Sequence, residues 1–266
     1  MANNYLIDII KNNPHAITTV VNPTEEMKLT AIRKNGLLLE YINNPTRQMQ
    51  EIALDNNPNA IKFINDPTED MMHRAIKGGW INLEYIKKPT EEVIQLALSQ
   101  AGWAIKYIEN PSEELQLMAV RKNYDSIKFI KEPYGSAQEE AVRASHDALR
   151  LIKAPTHHAI LSAIKMNEEA ITFLNDLERD KIMEYLKVNF LVIKYVKKDI
   201  TRDELVSVLR EVVARVDVEE KYIRDYINYN LVDRYDIKPM DKIMLIYEYG
   251  SKKAKQITVD EKLKII

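Results

Sequence analysis

Seven of the ten prolines in this 266-residue chain recur at one interval: Pro23, Pro45, Pro67, Pro89, Pro111, Pro133 and Pro155, 22 residues apart without an insertion. Cutting at these prolines aligns segments such as PTEEMKLTAIRKNGLLLEYINN and PSEELQLMAVRKNYDSIKFIKE. A degenerate copy fills residues 1–22, and residues 177–198 keep the apolar pattern without the proline. Self-similarity at a fixed period of about 20–50 residues marks a solenoid or array. The chain is therefore read as nine repeats over 1–198, followed by diverged helical repeats or a C-terminal cap over 199–266.

The columns of the alignment define the unit. Position 9 is Ala in all seven proline-led copies (Ala31, Ala53, Ala75, Ala97, Ala119, Ala141, Ala163), and an aliphatic residue follows each time. With the apolar fifth position of the first five copies (Met27, Met49, Met71, Val93, Leu115) this gives i, i+4, i+5 spacing, one face of a helix. Positions 17, 19 and 20 carry a second apolar cluster, as in Leu39-Tyr41-Ile42 and Ile105-Tyr107-Ile108, which predicts a second helix of about two turns. The Ala column lets two backbones approach closely. A hairpin this small cannot bury its own apolar side, so neighbours must stack. The expected fold is all-α, a right-handed α-solenoid of short αα-hairpins.

The punctuation agrees. Thr or Ser after the proline, followed by first-turn acids, as in Pro23-Thr24-Glu25-Glu26, reads as a helix start. Asn35, Asn57, Gly79, Asn123, Ser145, Asn167 and Asn189 fall between the helices, where a left-handed residue is expected. In the C-terminal part, Thr201-x-x-Glu204 and Thr258-x-x-Glu261 read as capping boxes, and Pro239 to Gly250 frames a further helix.

Composition removes several functions. Six glycines are far below the usual share of about 7%, which argues against phosphate-cradling loops. With no Cys, thiol catalysis and Cys-rich zinc sites are excluded. The five histidines include one adjacent pair, His157-His158, whose side chains diverge by about 100° on a helix and do not share a metal. No catalytic residue, metal or cofactor is expected. The start of the chain, MANNYLIDIIKNNP, lacks the charged and apolar regions of a signal peptide, and no apolar run reaches membrane-span length, so a cytoplasmic protein without a membrane partner is expected.

Two groups of residues suggest binding. Positions 14 and 15 of the middle and later repeats hold Trp80, Trp103, Tyr124 and His146, with Phe190 further on; aligned on one edge, they would make an aromatic ridge for a partner. Tyr222, Tyr226 and Tyr229 recur at helical spacing near the C-terminus and would either seal the last repeat or form an oligomer interface. The basic residues of positions 11 and 18, among them Arg33, Lys62, Lys106 and Lys128, are balanced by acids, and the net charge is −2. That balance disfavours nucleic acid, which calls for a basic stripe.

The repeat, P-T-E-E-x-x-x-x-A-I/V followed by a Y/F-I pair, resembles the tandem helical repeats of about 22 residues found in proteins of bacteriophages and giant DNA viruses, a family of unknown function. The resemblance covers about residues 1–198 and implies a helical array of viral origin; it carries over no catalytic residue. The leading expectation is a non-enzymatic protein–protein interaction solenoid that binds and blocks or recruits a host protein, with an anti-defence role among the options. The alternatives are a nucleic-acid-binding solenoid and a virion structural or assembly protein.

Overall fold

The computed structural model describes residues 2–175, 177–196 and 200–264. Among these residues every regular element is helical, with a single isolated bridge between Leu231 and Ile237. The chain divides into two compact units, Met1–Ala137 and Gln138–Ile266. The boundary drawn at 198/199 from the sequence falls outside the described residues.

In the first unit the repeats that begin at Pro23, Pro45, Pro67, Pro89 and Pro111 are each a ten-residue α-helix followed by a six-residue 3-10 helix, for example Glu91–Gln100 with Gly102–Tyr107, and Glu113–Lys122 with Tyr124–Phe129. The second helix of the hairpin thus has the expected two turns, at three residues per turn. The α-helices stack on one another in sequence order, the 3-10 helices do the same, and each 3-10 helix also packs on the α-helix of the following repeat. The Ala column is fully buried at this junction. A Cβ added at Gly36 would lie 2.2 Å from the Ala53 carbonyl oxygen, so here the small residue is needed for a backbone-to-backbone approach.

The α-helix starts follow the sequence. Thr24, Thr46, Thr68, Ser112 and Thr156 each accept a hydrogen bond from the backbone N–H three residues on. The proline stands just before this cap. The residues between the helices correct the expectation of left-handed geometry. Asn35 (φ −149°, ψ 104°), Asn57, Asn123, Ser145, Asn167 and Asn189 are extended, and Gly79 alone has positive φ. The reason is that one residue ends one helix and caps the next. The Asn35 N–H donates to the Ala31 carbonyl, its carbonyl accepts from Leu38, and its Oδ1 accepts from the Leu37 N–H at 3.1 Å. The left-handed residues among the repeats are Asn22 and Asn44, immediately before the proline.

Amide side chains link successive repeats. Asn56 accepts from the Gly36 N–H and donates to the Arg33 carbonyl, and Gln100 donates to the Ile76 carbonyl at 2.6 Å. Asn56 satisfies a carbonyl at the end of the preceding α-helix, and Gln100 adds a second bond to the Ile76 carbonyl, which also accepts from the Gly79 N–H. Buried Gln116 accepts from the Tyr134 N–H at 2.9 Å and donates to the Pro111 carbonyl at 3.2 Å, fixing the loop around Pro133.

The second unit continues the hairpins through Phe190–Lys194 and then changes to α-helices without the 3-10 partner, Arg202–Val213, Glu220–Asn228, Pro239–Tyr249 and Lys252–Leu263. Thr201 and Glu204 form the expected capping box. Thr258 does not: it lies inside Lys252–Leu263, buried, with its hydroxyl donating to the Ala254 carbonyl at 2.8 Å, and Ser251 is the cap. The helix already starts at the Ser251 cap and runs on through this internal start signal. Lys242 is buried, and its ammonium donates to the carbonyls of Ile227 and Tyr229, closing the end of helix Glu220–Asn228.

Candidate docking face

The 3-10 helices present one side of each repeat of the first unit to solvent. Position 17 of each six-residue stretch and position 20 just after it are apolar and mostly buried, and position 16 (Leu38, Ala60, Asn82, Ala104, Ser126) is buried as well. At three residues per turn positions 15 and 18 share a face away from 17 and 20, and position 19, a third of a turn from 17 and 20, is exposed or half-buried. Position 19 is aromatic in five consecutive proline-led repeats of this unit: Tyr41, Phe63, Tyr85, Tyr107 and Phe129. Tyr41, Tyr85 and Phe129 are exposed, at 54%, 43% and 39%, and Phe63 and Tyr107 are half-buried. The sequence had placed this column in the core with positions 17 and 20. A six-residue 3-10 helix has too tight a turn to bury all three.

Charged residues of position 18 flank the rings. The Nζ atoms of Lys62, Lys106 and Lys128 lie 4.6, 4.5 and 5.0 Å from the ring centroids of Phe63, Tyr107 and Phe129. Glu40 and Glu84 occupy the same column, and the Tyr107 hydroxyl donates to Glu84 at 3.1 Å. The face therefore carries rings and both signs of charge.

Of the aromatic residues singled out from positions 14 and 15, Trp80, Trp103 and His146 each contact the next repeat. Trp80 is half-buried with its centroid 6.3 Å from that of Tyr107. Trp103, 39% exposed, donates its indole N–H to Asp125 at 2.8 Å, and Asp125 also holds Lys128 at 2.9 Å. Burial alone would raise the Asp125 pKa, but those bonds from Lys128 and Trp103 hold it below the ordinary carboxylate value. Tyr124 is exposed at the start of its 3-10 helix. In the second unit His146 stacks on Phe173 at 6.1 Å, nearly parallel. Phe190 is 0% exposed and has become core, ringed by Tyr222, Tyr226 and Tyr229 with centroids 5.3–6.0 Å away in edge contacts.

Those three tyrosines accordingly seal the last hairpin. Tyr222 and Tyr226 are buried and Tyr229 is half-buried. The Tyr222 hydroxyl donates to the Leu186 carbonyl at 2.9 Å, and burial pushes both buried phenols well above their ordinary pKa. The exposed apolar residues of this region include Met240, Met244 and Tyr247, one stripe of helix Pro239–Tyr249.

A cleft of about 390 Å³ in the second unit is lined by His158, Lys165, Lys187, Arg215, Glu219 and Tyr222, among others. Its cations are already paired, Lys165 with Glu219 and Lys187 with Glu211, each at 2.5 Å. The adjacent histidines turn to different helices, His157 to Glu184 at 2.9 Å and His158 to Glu139 at 3.9 Å.

These elements define an all-helical tandem-repeat protein of α/3-10 hairpins with a half-exposed aromatic column on its 3-10 side. Comparison with protein-family models, curated proteins and solved structures returned no match. No helix among the described residues is long and apolar enough to cross a membrane.

Proposed function

We propose that this chain is a non-enzymatic binding protein whose first unit docks another protein on the face of its 3-10 helices. The observation that supports this reading is the position-19 column. Five successive repeats keep a large aromatic ring where the geometry leaves it wholly or half in water, although a polar residue would fit there. Tyr and Trp in such settings are the residues that concentrate binding energy at interfaces. The mixture of Glu40, Lys62, Glu84, Lys106 and Lys128 beside the rings suits a protein surface of mixed charge better than a polyanion. For a host protein as the partner, the support is the resemblance of the repeat to viral repeat proteins.

The test is a pull-down from cell lysate, with and without nuclease, using the wild-type chain and a Tyr85→Ala/Trp103→Ala variant. Retention after nuclease and loss of at least about 2 kcal/mol of affinity in the variant are expected. Recovery that collapses with nuclease, or with salt, would assign the face to single-stranded nucleic acid stacked on the rings. Unchanged binding in a folded variant removes the face from the function.

Self-association is a second reading, favoured by the exposed stripe of Met240, Met244 and Tyr247, the last 72% exposed. Light scattering of the wild type and of Met244→Glu tests it. A monomer in both would end it.

A further inference from the structure

We propose that Glu69, His73 and Glu92 form a divalent-metal site of zinc type that bridges two consecutive repeats. Glu69 and His73 stand one turn apart in helix Glu69–Gly78, so both point from the same helical face. Glu92 is the second residue of the next α-helix, Glu91–Gln100, and the stacking register brings it to that face. One ligand atom from each of the three lies within 4.8 Å of the other two. Zinc bonds of roughly 2.1 Å to nitrogen and oxygen put tetrahedral ligands roughly 3.4 Å apart, a closure that rotation of two exposed glutamates supplies.

The charges favour a cation. Among the described residues neither glutamate has a Lys or Arg within 4 Å, and Glu92 meets only His73, at 3.9 Å. Arg74, the next residue in the chain, is committed to Asp55 at 2.5 Å and Asp70 at 2.9 Å. Two carboxylates thus converge on one imidazole, and a divalent ion would neutralise them while leaving the imidazole uncharged, the form that binds metal. An imidazole ligand selects zinc or a neighbouring transition metal over calcium and magnesium, which take oxygen. His73 is half-buried, which holds its ring in place, and the glutamates leave a side open to water. Three protein ligands with an open position would make the ion a clamp between the repeats that begin at Pro67 and Pro89, independent of the 3-10 face.

The combination needs an acid at position 3, a histidine at position 7 and an acid at position 4 of the next repeat. In the proline-led repeats only the one beginning at Pro67 supplies all three. A search restricted to neighbouring histidines in the sequence passes over it, because its third ligand is 19 residues from the second.

The experiment is calorimetric titration of the full chain, stripped with chelator, with zinc chloride near neutral pH, together with the visible spectrum on adding cobalt(II). One equivalent bound, cobalt bands on binding, and a loss of at least about tenfold in affinity for His73→Ala and for Glu69→Gln are expected. A His157→Ala/His158→Ala variant should bind as the wild type does. The proposal is overturned by absence of saturable uptake, by uptake that His73→Ala leaves unchanged, or by uptake lost in the His157/His158 variant. It is equally overturned if about tenfold excess calcium displaces the zinc, since an oxygen-only site would then be responsible.

Discussion

The rings of Trp80 and Tyr107 lie 6.3 Å apart, inclined at 38°, and Lys106 Nζ stands 5.5 Å from the first and 4.5 Å from the second. His146 and Phe173 repeat the relationship 66 residues later, so a ring at position 14 covers position 19 of the next repeat. The contact is part of the stacking and part of the exposed face at once.

A double-mutant cycle of Trp80→Ala and Lys106→Ala should therefore show a coupling energy of about 0.5–1 kcal/mol in denaturant unfolding, the size of a surface cation–π contact. Strict additivity would mean that the ammonium and the indole are neighbours without interacting.

Gly102 should not tolerate a methyl group. A Cβ there would sit 2.1 Å from the Ala119 carbonyl oxygen and 3.0 Å from its carbon, both backbone atoms of the next repeat. Gly102→Ala is expected to cost about 1–3 kcal/mol in unfolding free energy. Stability equal to the wild type would show that the two repeats can slide apart freely.

Gln116 is buried and serves both loops around it. In Gln116→Leu the Tyr134 N–H and the Pro111 carbonyl lose their partner, at a cost of about 1–3 kcal/mol. Hydrogen exchange at the Tyr134 amide should rise with it. A slow amide in the variant would argue that another group takes over.

Tyr222 and Tyr226 separate burial from hydrogen bonding. Tyr222→Phe deletes the bond to the Leu186 carbonyl and should destabilise by about 0.5–1.5 kcal/mol. The Tyr226 hydroxyl is buried with no partner among the described residues, so Tyr226→Phe should be neutral or slightly stabilising. Reversal of that order in thermal unfolding would refute the assignment.

Acid should loosen the junction between helices Arg179–Val188 and Arg202–Val213. Arg179 holds Glu204 through two bonds of 2.7 and 2.8 Å, and the Thr201 N–H adds a third, which together lower the Glu204 pKa from 4.5 to about 2. A depressed carboxylate contributes stability that is complete above its unfolded pKa and is lost as pH falls through the folded one. The contribution should thus disappear between about pH 4.5 and pH 2, and Arg179→Ala should narrow that window. An unchanged acid profile in the variant would rule the pair out.

Most of the fold was legible in the chain. The 22-residue interval, the buried Ala column, the Thr and Ser caps and the Thr201–Glu204 box all depend on residues within one turn or one hairpin, where spacing specifies geometry. The same local rules misled at Thr258, where a start signal lies inside a helix already capped at Ser251, and at Asn35, which serves two helices and so stays extended.

The sequence by itself determined the repeat, its two helices and the faces that must be hidden, because helical periodicity acts over three or four residues. Only the tertiary structure decided what meets across repeats: Trp80 with Tyr107, Gln116 with Tyr134, Glu92 with His73, and Phe190 enclosed by three tyrosines. Those pairs are set by the rise and rotation from one hairpin to the next. That step follows from the fit of whole faces, a 3-10 helix against the following Ala column, and no short stretch of sequence contains it.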